Sequence, residues 1–184
     1  MVNKKVIGEI IKVGLILFAI TAISAAVLAL ADSYTRPVIE ENNKIAQNEA
    51  MKKVLPEADD FQKLEFTQTA TVDEVYISEG GYAVKVSPRG YGGEIGMIVG
   101  IDNELLVTGV EIITQSETAG LGANCKTPEF RQRFIGKTEN IKVVKNGAKD
   151  NEVDAISSAT ITTKAVTLGV NEAISTVKSI KEGK

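Results

Sequence analysis

The chain has no histidine and a single cysteine, Cys125. That inventory excludes a self-contained thiolate iron–sulfur site, a zinc site of the usual Cys/His type, a histidine-dependent triad and any disulfide within one chain. An excess of basic charge is also lacking. The net charge is −3, with Lys and Asp/Glu scattered along the sequence, so there is no field to hold a nucleic-acid backbone, and nucleic acid is not an expected partner. No Gly-x-Gly-x-x-Gly fingerprint occurs, so direct NAD binding is not expected either. Any redox role must come from a bound cofactor, since the unmodified side chains offer one thiol. Cys125 reads as a buried structural residue, the usual fate of a free cysteine, with a reactive thiol as the alternative.

What the sequence does have is a long apolar run. From Val13 to Ala31 it carries no charge, and Thr21 and Ser24 are its mildly polar members. Nineteen residues of helix span about 28 Å, enough for a bilayer core. Lys4, Lys5 and Lys12 precede the run and Asp32 follows it, so the positive-inside bias puts the N-terminus in the cytoplasm and the bulk of the chain outside, Arg36 notwithstanding. A cleaved signal peptide is the alternative, since Ala29-Leu30-Ala31 mimics a cleavage site, but the run exceeds an ordinary signal core and favours a retained anchor.

The 184 residues permit one domain with an appendage. Residues 1–32 are expected to form a cytoplasmic tip and membrane helix, and residues 33–60 a helical stalk with Pro37 in its first turn and Pro56 beyond its end. Residues 61–184 are expected to form the globular domain. There the runs VDEVYIS, YAVKVS, IGMIVGID and LLVTGVEIIT are β-branched and separated by Gly, Asn or Asp, which predicts a meandering antiparallel sheet. Thr127 to Phe134 reads as a short helix, Asn140 to Val144 as a further strand, and the segment from about Thr160 as a long terminal helix. Its expected apolar face is Ile161, Ala165, Leu168, Val170, Ile174, Val177 and Ile180, with Gly169 marking close packing. The class is α+β.

At the mouth of that last helix stands Asp154-Ala155-Ile156-Ser157-Ser158-Ala159-Thr160, followed by Ile161-Thr162-Thr163-Lys164. A helix N-terminus offers unpaired N–H groups and the positive end of the macrodipole, so hydroxyls there read either as ordinary caps or as a phosphate site. Two glycine-containing blocks precede it. Ser116-Glu117-Thr118-Ala119-Gly120-Leu121-Gly122 allows close backbone approach, with an apolar contact at Leu121 and polar groups at Glu117 and Thr118. Pro88-Arg89-Gly90-Tyr91-Gly92-Gly93-Glu94-Ile95 leads into a strand.

In this order the three blocks resemble the bacterial FMN-binding domain family. The Asp154–Thr160 run resembles its Asp-x-x-Ser/Thr-Gly-Ala-Thr motif, in which FMN is esterified through its phosphate to the last threonine. Thr160 is the matching position, and Ser158 stands where glycine is usual. The Glu117–Gly122 block resembles the Glu-Thr-Pro-Gly-Leu-Gly segment against the flavin ring, with Ala119 in place of proline, and the Pro88–Ile95 block resembles a Gly-Tyr-x-Gly stretch.

The resemblance implies a single membrane helix followed by an extracytoplasmic FMN-binding domain, an antiparallel sheet flanked by helices. Covalent FMN is expected on Thr160, making the chain a phosphoprotein in the chemical sense. Asp154, Ser157, Ser158, Ala159, Thr162, Thr163, Lys164, Glu117, Thr118, Leu121, Gly122, Gly90 and Tyr91 are expected around it, with no metal site. The whole chain is similar to the small flavoprotein of two related membrane complexes. Shortness favours the RnfG type, from the Rnf ion-translocating ferredoxin:NAD oxidoreductase, over the corresponding flavoprotein of the sodium-translocating NADH:quinone reductase. An electron carrier is implied, partnered by the other members of the complex and matured by a separate flavin transferase. A membrane-anchored module holding noncovalent flavin, or a flavin reductase with its own substrate pocket, is the alternative class.

Overall fold

The computed structural model describes residues 4–58, 60–66 and 69–183. Their contacts divide the chain into two units, Met1–Lys44 and Ile45–Lys184. The described residues of the first lie within α1, Lys4–Val54, the one helix among the described residues long and apolar enough to cross a membrane. Its apolar side chains are exposed, Phe18 at 70% and Leu28 at 69%, as suits contact with lipid. The Thr21 hydroxyl donates to the Leu17 carbonyl at 3.0 Å, so this polar group is satisfied within the helix. The sequence pattern restarts the helix at Pro37, whereas the folded chain runs through that residue. Proline removes one N–H bond at about 3 kcal/mol, whereas ending the helix there would unpair several carbonyls and N–H groups at once. Beyond Val54 the chain turns at Pro56, as expected.

In the second unit five strands form one sheet in sequence order: β1 Gln62–Leu64, β2 Val72–Ser78, β3 Gly81–Val86, β4 Gly96–Ile101 and β5 Val107–Thr114. All neighbours are antiparallel, the expected meander. After β5 come a short 3-10 turn at Gly122–Lys126, α2 Pro128–Arg131, and a parallel pair, β6 Lys142–Val144 and β7 Glu152–Asp154. The terminal helix α3 is Thr160–Lys181.

The central strands β3 and β4 are almost wholly buried because both faces of the sheet are covered. One face carries Val75, Val84, Val86, Met97, Val99 and Val110, packed with Val166, Val170, Ile174 and Val177 of α3. The other packs Ala83 and Ile98 against Ala50, Met51, Val54 and Leu55 at the end of α1. Gly100 and Gly109 are cross-strand partners, and a Cβ on either would meet Val54 atoms, at 2.6 Å for Gly100 and 3.1 Å for Gly109. Bare backbone there is what admits the helix. On the opposite face, a Cβ at Gly169 would lie 2.4 Å from Met97 Cε, which is the close packing its position implied.

α3 buries Ala165, Val170, Ile174 and Val177 as expected, but two members of the expected face are not in the core. Ile161 and Leu168 are 56% and 50% exposed, while Thr162, Thr163 and Thr167 are buried. The Thr167 hydroxyl donates to the Thr163 carbonyl at 2.9 Å, so the polar atom is satisfied inside the helix and the methyl packs like an apolar group.

Candidate functional site

Strand β7 and the start of α3 are joined by Ala155–Ala159, and the conformation of this link sets the site. Ser158 has φ of +59°, the left-handed region that glycine occupies most cheaply. The serine therefore takes the backbone shape for which the resembled motif uses glycine. Ala159 is the N-cap and makes no side-chain capping bond, so the hydroxyl cluster does not act as a cap. Thr160 is the first helical residue, and the first N–H to find an acceptor in the turn is that of Thr163, donating to Ala159 O at 3.1 Å. The N–H groups of Thr160, Ile161 and Thr162 precede it at the positive end of a 22-residue helix.

The three threonines here differ in what their hydroxyls do. Thr163 Oγ1 accepts the Ile156 N–H at 3.0 Å and donates to Ala159 O at 3.1 Å. Thr162 Oγ1 donates to the Glu117 carboxylate, and both residues are buried. Thr160 is exposed, and among the described residues its hydroxyl has no hydrogen-bond partner.

A cleft of about 520 Å³ opens beside Thr160. Ten residues line it, drawn from the three blocks: Tyr91 from the first, Glu117, Thr118, Leu121 and Gly122 from the second, and Ser158, Ala159, Thr160, Ile161 and Thr162 from the third. The motifs single out nine of them. Ile161 reads from sequence as a core residue, and the signal that could have placed it here is its position directly after Thr160 on the helix's first turn. A larger cleft of about 730 Å³, lined by Glu65, Phe66, Glu172 and Ile180 among others, contains none of the motif residues. Its size is outweighed by the convergence of backbone donors, a free hydroxyl and apolar surface in the smaller one.

Glu117 holds the blocks together. Its Oε1 accepts the Gly92 N–H at 2.8 Å and its Oε2 accepts the Thr162 hydroxyl, linking segments 25 and 45 residues away along the chain. Gly90 lies behind it, since a Cβ there would sit 2.4 Å from Oε1; Gly90 supports the carboxylate and does not line the cleft. The other expected residues also stand off it. Asp154 Oδ1 accepts the Ala148 N–H at 2.9 Å and its carbonyl accepts Arg133 Nη1 at 2.7 Å, so Asp154 closes the local turn. Thr163 is buried behind the site, while Ser157 and Lys164 are exposed outside its lining. Cys125 is buried in the main core, and burial first, then the Glu117 charge, pushes its thiol up to about 11. That thiol is an inert packing group.

The cleft suits FMN. Its volume falls in the range of small-molecule sites, the helix N-terminus suits a phosphate, and Tyr91, Leu121 and Ile161 offer apolar surface to a flat ring.

Comparison with known proteins supports FMN as the ligand of this domain. A family described as FMN-binding domain matches residues 90–175, and one described as RnfG N-terminal region matches residues 3–54. The chain is 37% identical over 195 residues to the G subunit of the Na(+)-translocating ferredoxin:NAD(+) oxidoreductase complex of Acetobacterium woodii, covering 94% of each chain. It is 32% identical to the proton-translocating counterpart of Clostridium ljungdahlii, covering 88% of each. With the G subunit of the ion-translocating oxidoreductase complex of Methanosarcina acetivorans it shares 34% identity, covering 95% of this chain and 97% of that one. Among solved structures, Shewanella oneidensis NqrC matches with a TM-score of 0.51 and 23% identity over 55% of this chain and 54% of that one, a likeness of fold.

Proposed function

This chain belongs to the family of G subunits of ion-translocating ferredoxin:NAD(+) oxidoreductase complexes, and we propose that it carries FMN in the Thr160 cleft as a phosphoester on the Thr160 hydroxyl. It is an electron-carrying flavoprotein that works with the other subunits of a membrane complex, and its apolar helix is the anchor. FMN supplies what the side chains lack, reversible uptake and release of electrons. The chain's own residues bind and orient. The first N–H groups of α3 would hold the phosphate, Leu121, Ile161 and Tyr91 would cover apolar ring surface, and Thr118 would meet a polar edge, while Lys164, outside the cleft lining, is the first cation of that helix.

The observation that carries this reading is the contrast among the three threonines in the first turn of α3, of which Thr160 alone, among the described residues, has an exposed, unbonded hydroxyl. Attachment from FAD would bond Thr160 Oγ1 to the FMN-side phosphorus, with AMP as the leaving group and the hydroxyl proton lost. A separate metal-dependent transferase performs that step. A tether is useful outside the cytoplasm, where a dissociating flavin would be diluted away. The extracytoplasmic placement itself rests on Lys4, Lys5 and Lys12 ahead of the span. A cytoplasm-dependent reporter fused after Lys184 should be silent, and an active one reverses the topology.

Mass spectrometry of the chain made with its transferase tests the attachment. One FMN-phosphoryl mass on the peptide containing Thr160 is expected, and it should vanish in Thr160→Ala and Thr160→Val. Flavin retained in those variants, or mapped to Thr162 or Thr163, refutes the assignment.

A further inference from the structure

Glu117 is a carboxylate only 8% exposed, in the wall of a cleft that otherwise holds neutral side chains. Both its oxygens are engaged within the protein, one by the Gly92 N–H and one by the Thr162 hydroxyl. Neither partner is a cation, and among the described residues Glu117 makes no salt bridge. A Cβ at Gly122 would lie 2.5 Å from Oε2 and one at Gly90 2.4 Å from Oε1, so glycine on both sides admits the carboxylate. A polar lock alone needs no charge, because a glutamine amide has the same reach. What the carboxylate adds is a negative charge that two neutral donors hydrogen-bond but do not cancel, in a setting where solvent screens it poorly.

Resting on the flavin assignment above, we infer that Glu117 sets the flavin's reduction potential: its buried charge in the cleft wall, paired with no cation, disfavours reduction and keeps the potential low. Each electron passed from another member of the complex into the ring without a proton adds one negative charge beside the carboxylate. Thr162 belongs to the same device, since its hydroxyl dipole stabilises the carboxylate from the turn that carries Thr160. Each Glu117 oxygen already accepts one hydrogen bond within the protein, so the carboxylate is fixed in the wall and its charge acts on the ring through space.

Two substitutions separate charge from geometry. Glu117→Gln keeps an acceptor for the Gly92 N–H and offers an amide to Thr162, but removes the charge. Thr162→Val keeps the charge and removes its hydroxyl donor. Full-length protein is made with the transferase, the flavin-loaded fraction is isolated, and its potential is read by reductive titration against a reference dye. The Glu117→Gln potential should lie above wild type and that of Thr162→Val below it. A Glu117→Gln potential equal to or below wild type overturns the inference. So does a folded Glu117→Gln protein that takes no flavin, since the charge would then serve loading. If Glu117→Gln does not fold, Thr162→Val decides, and a potential equal to or above wild type overturns the inference. A wild-type chain without FMN on Thr160 is a different failure, of the attachment reading, and removes both.

Discussion

Ser158 offers a sharp test of how the site is built, because the structure forces an ordinary residue into the left-handed region. Its φ is +59°, its side chain is exposed, and among the described residues it makes no hydrogen bond, so a substitution there loses no contact. A left-handed L-residue costs about 1–2 kcal/mol, a strain that glycine escapes. Glycine in turn gives up about 0.5–1 kcal/mol through the greater freedom of its unfolded chain. Ser158→Gly should therefore stabilise the unit by about 0.5–1 kcal/mol, which for a body the size of Ile45–Lys184 is a rise of about 2–3 °C in Tm. Ser158→Val should do the opposite and lose about 1 kcal/mol or more, since a β-branched side chain fits that region worst. Calorimetry of the detergent-purified full chain reads both. Flavin content should be kept in the glycine variant, whose backbone reaches the same turn ahead of Thr160. A fall in Tm for Ser158→Gly, or no change for Ser158→Val, would refute the view that this turn is set by backbone strain.

The sheet is legible in the sequence because each strand announces itself locally. VDEVYIS is β2 from its first residue to its last, YAVKVS holds all of β3 but its first residue, Gly81, and the other two runs hold β4 and β5. β-branched residues between turn formers need no distant information to be read. The short strands β1 and β7, three residues each, carry no such period and leave no local signal. The face of α3 is hidden for a related reason: hydropathy counts threonine as polar, and Thr162, Thr163 and Thr167 are buried because neighbouring oxygens satisfy their hydroxyls. Ile161 meanwhile leaves the core for the cleft. Motif spacing locates the cleft itself, yet not the part played by Glu117. That part depends on Gly92 and Thr162, which only the folded chain brings to the two oxygens of one carboxylate.

Three further perturbations follow from named contacts. Burial opposes ionisation of Glu74, but hydrogen bonds from Lys63, Gln47 and Tyr76 together outweigh it and bring the carboxyl down to about 2. Its stabilisation is thus complete above the unfolded value near 4.5 and lost as pH falls towards 2, so Glu74→Gln should remove about 1–2 kcal/mol at pH 7 after solvent screening and flatten acid unfolding across that window. An acid-unfolding profile parallel to wild type would count against this. Leu121→Glu puts a charge at the cleft and should shift the flavin's absorption or potential while leaving attachment at Thr160 largely intact; an unchanged spectrum and potential would make the segment an ordinary turn. Gly122→Ala and Gly120→Ala, two residues apart, should differ in kind. An added Cβ at Gly120 meets nothing within 4 Å, and its φ of +75° leaves backbone strain of about 1 kcal/mol as the cost. At Gly122 the new atom would lie 2.5 Å from Glu117 Oε2 and 2.6 Å from Thr162 Oγ1, two buried atoms bonded to each other, so the lock must open or the helix start must move. Leaving a buried carboxylate short of a donor costs about 2–3 kcal/mol, and the displaced turn carries Thr160, so Gly122→Ala should lower both Tm and flavin loading while Gly120→Ala lowers Tm alone. Equal loss of loading in the two variants would show that the Glu117–Thr162 contact does not place the acceptor threonine.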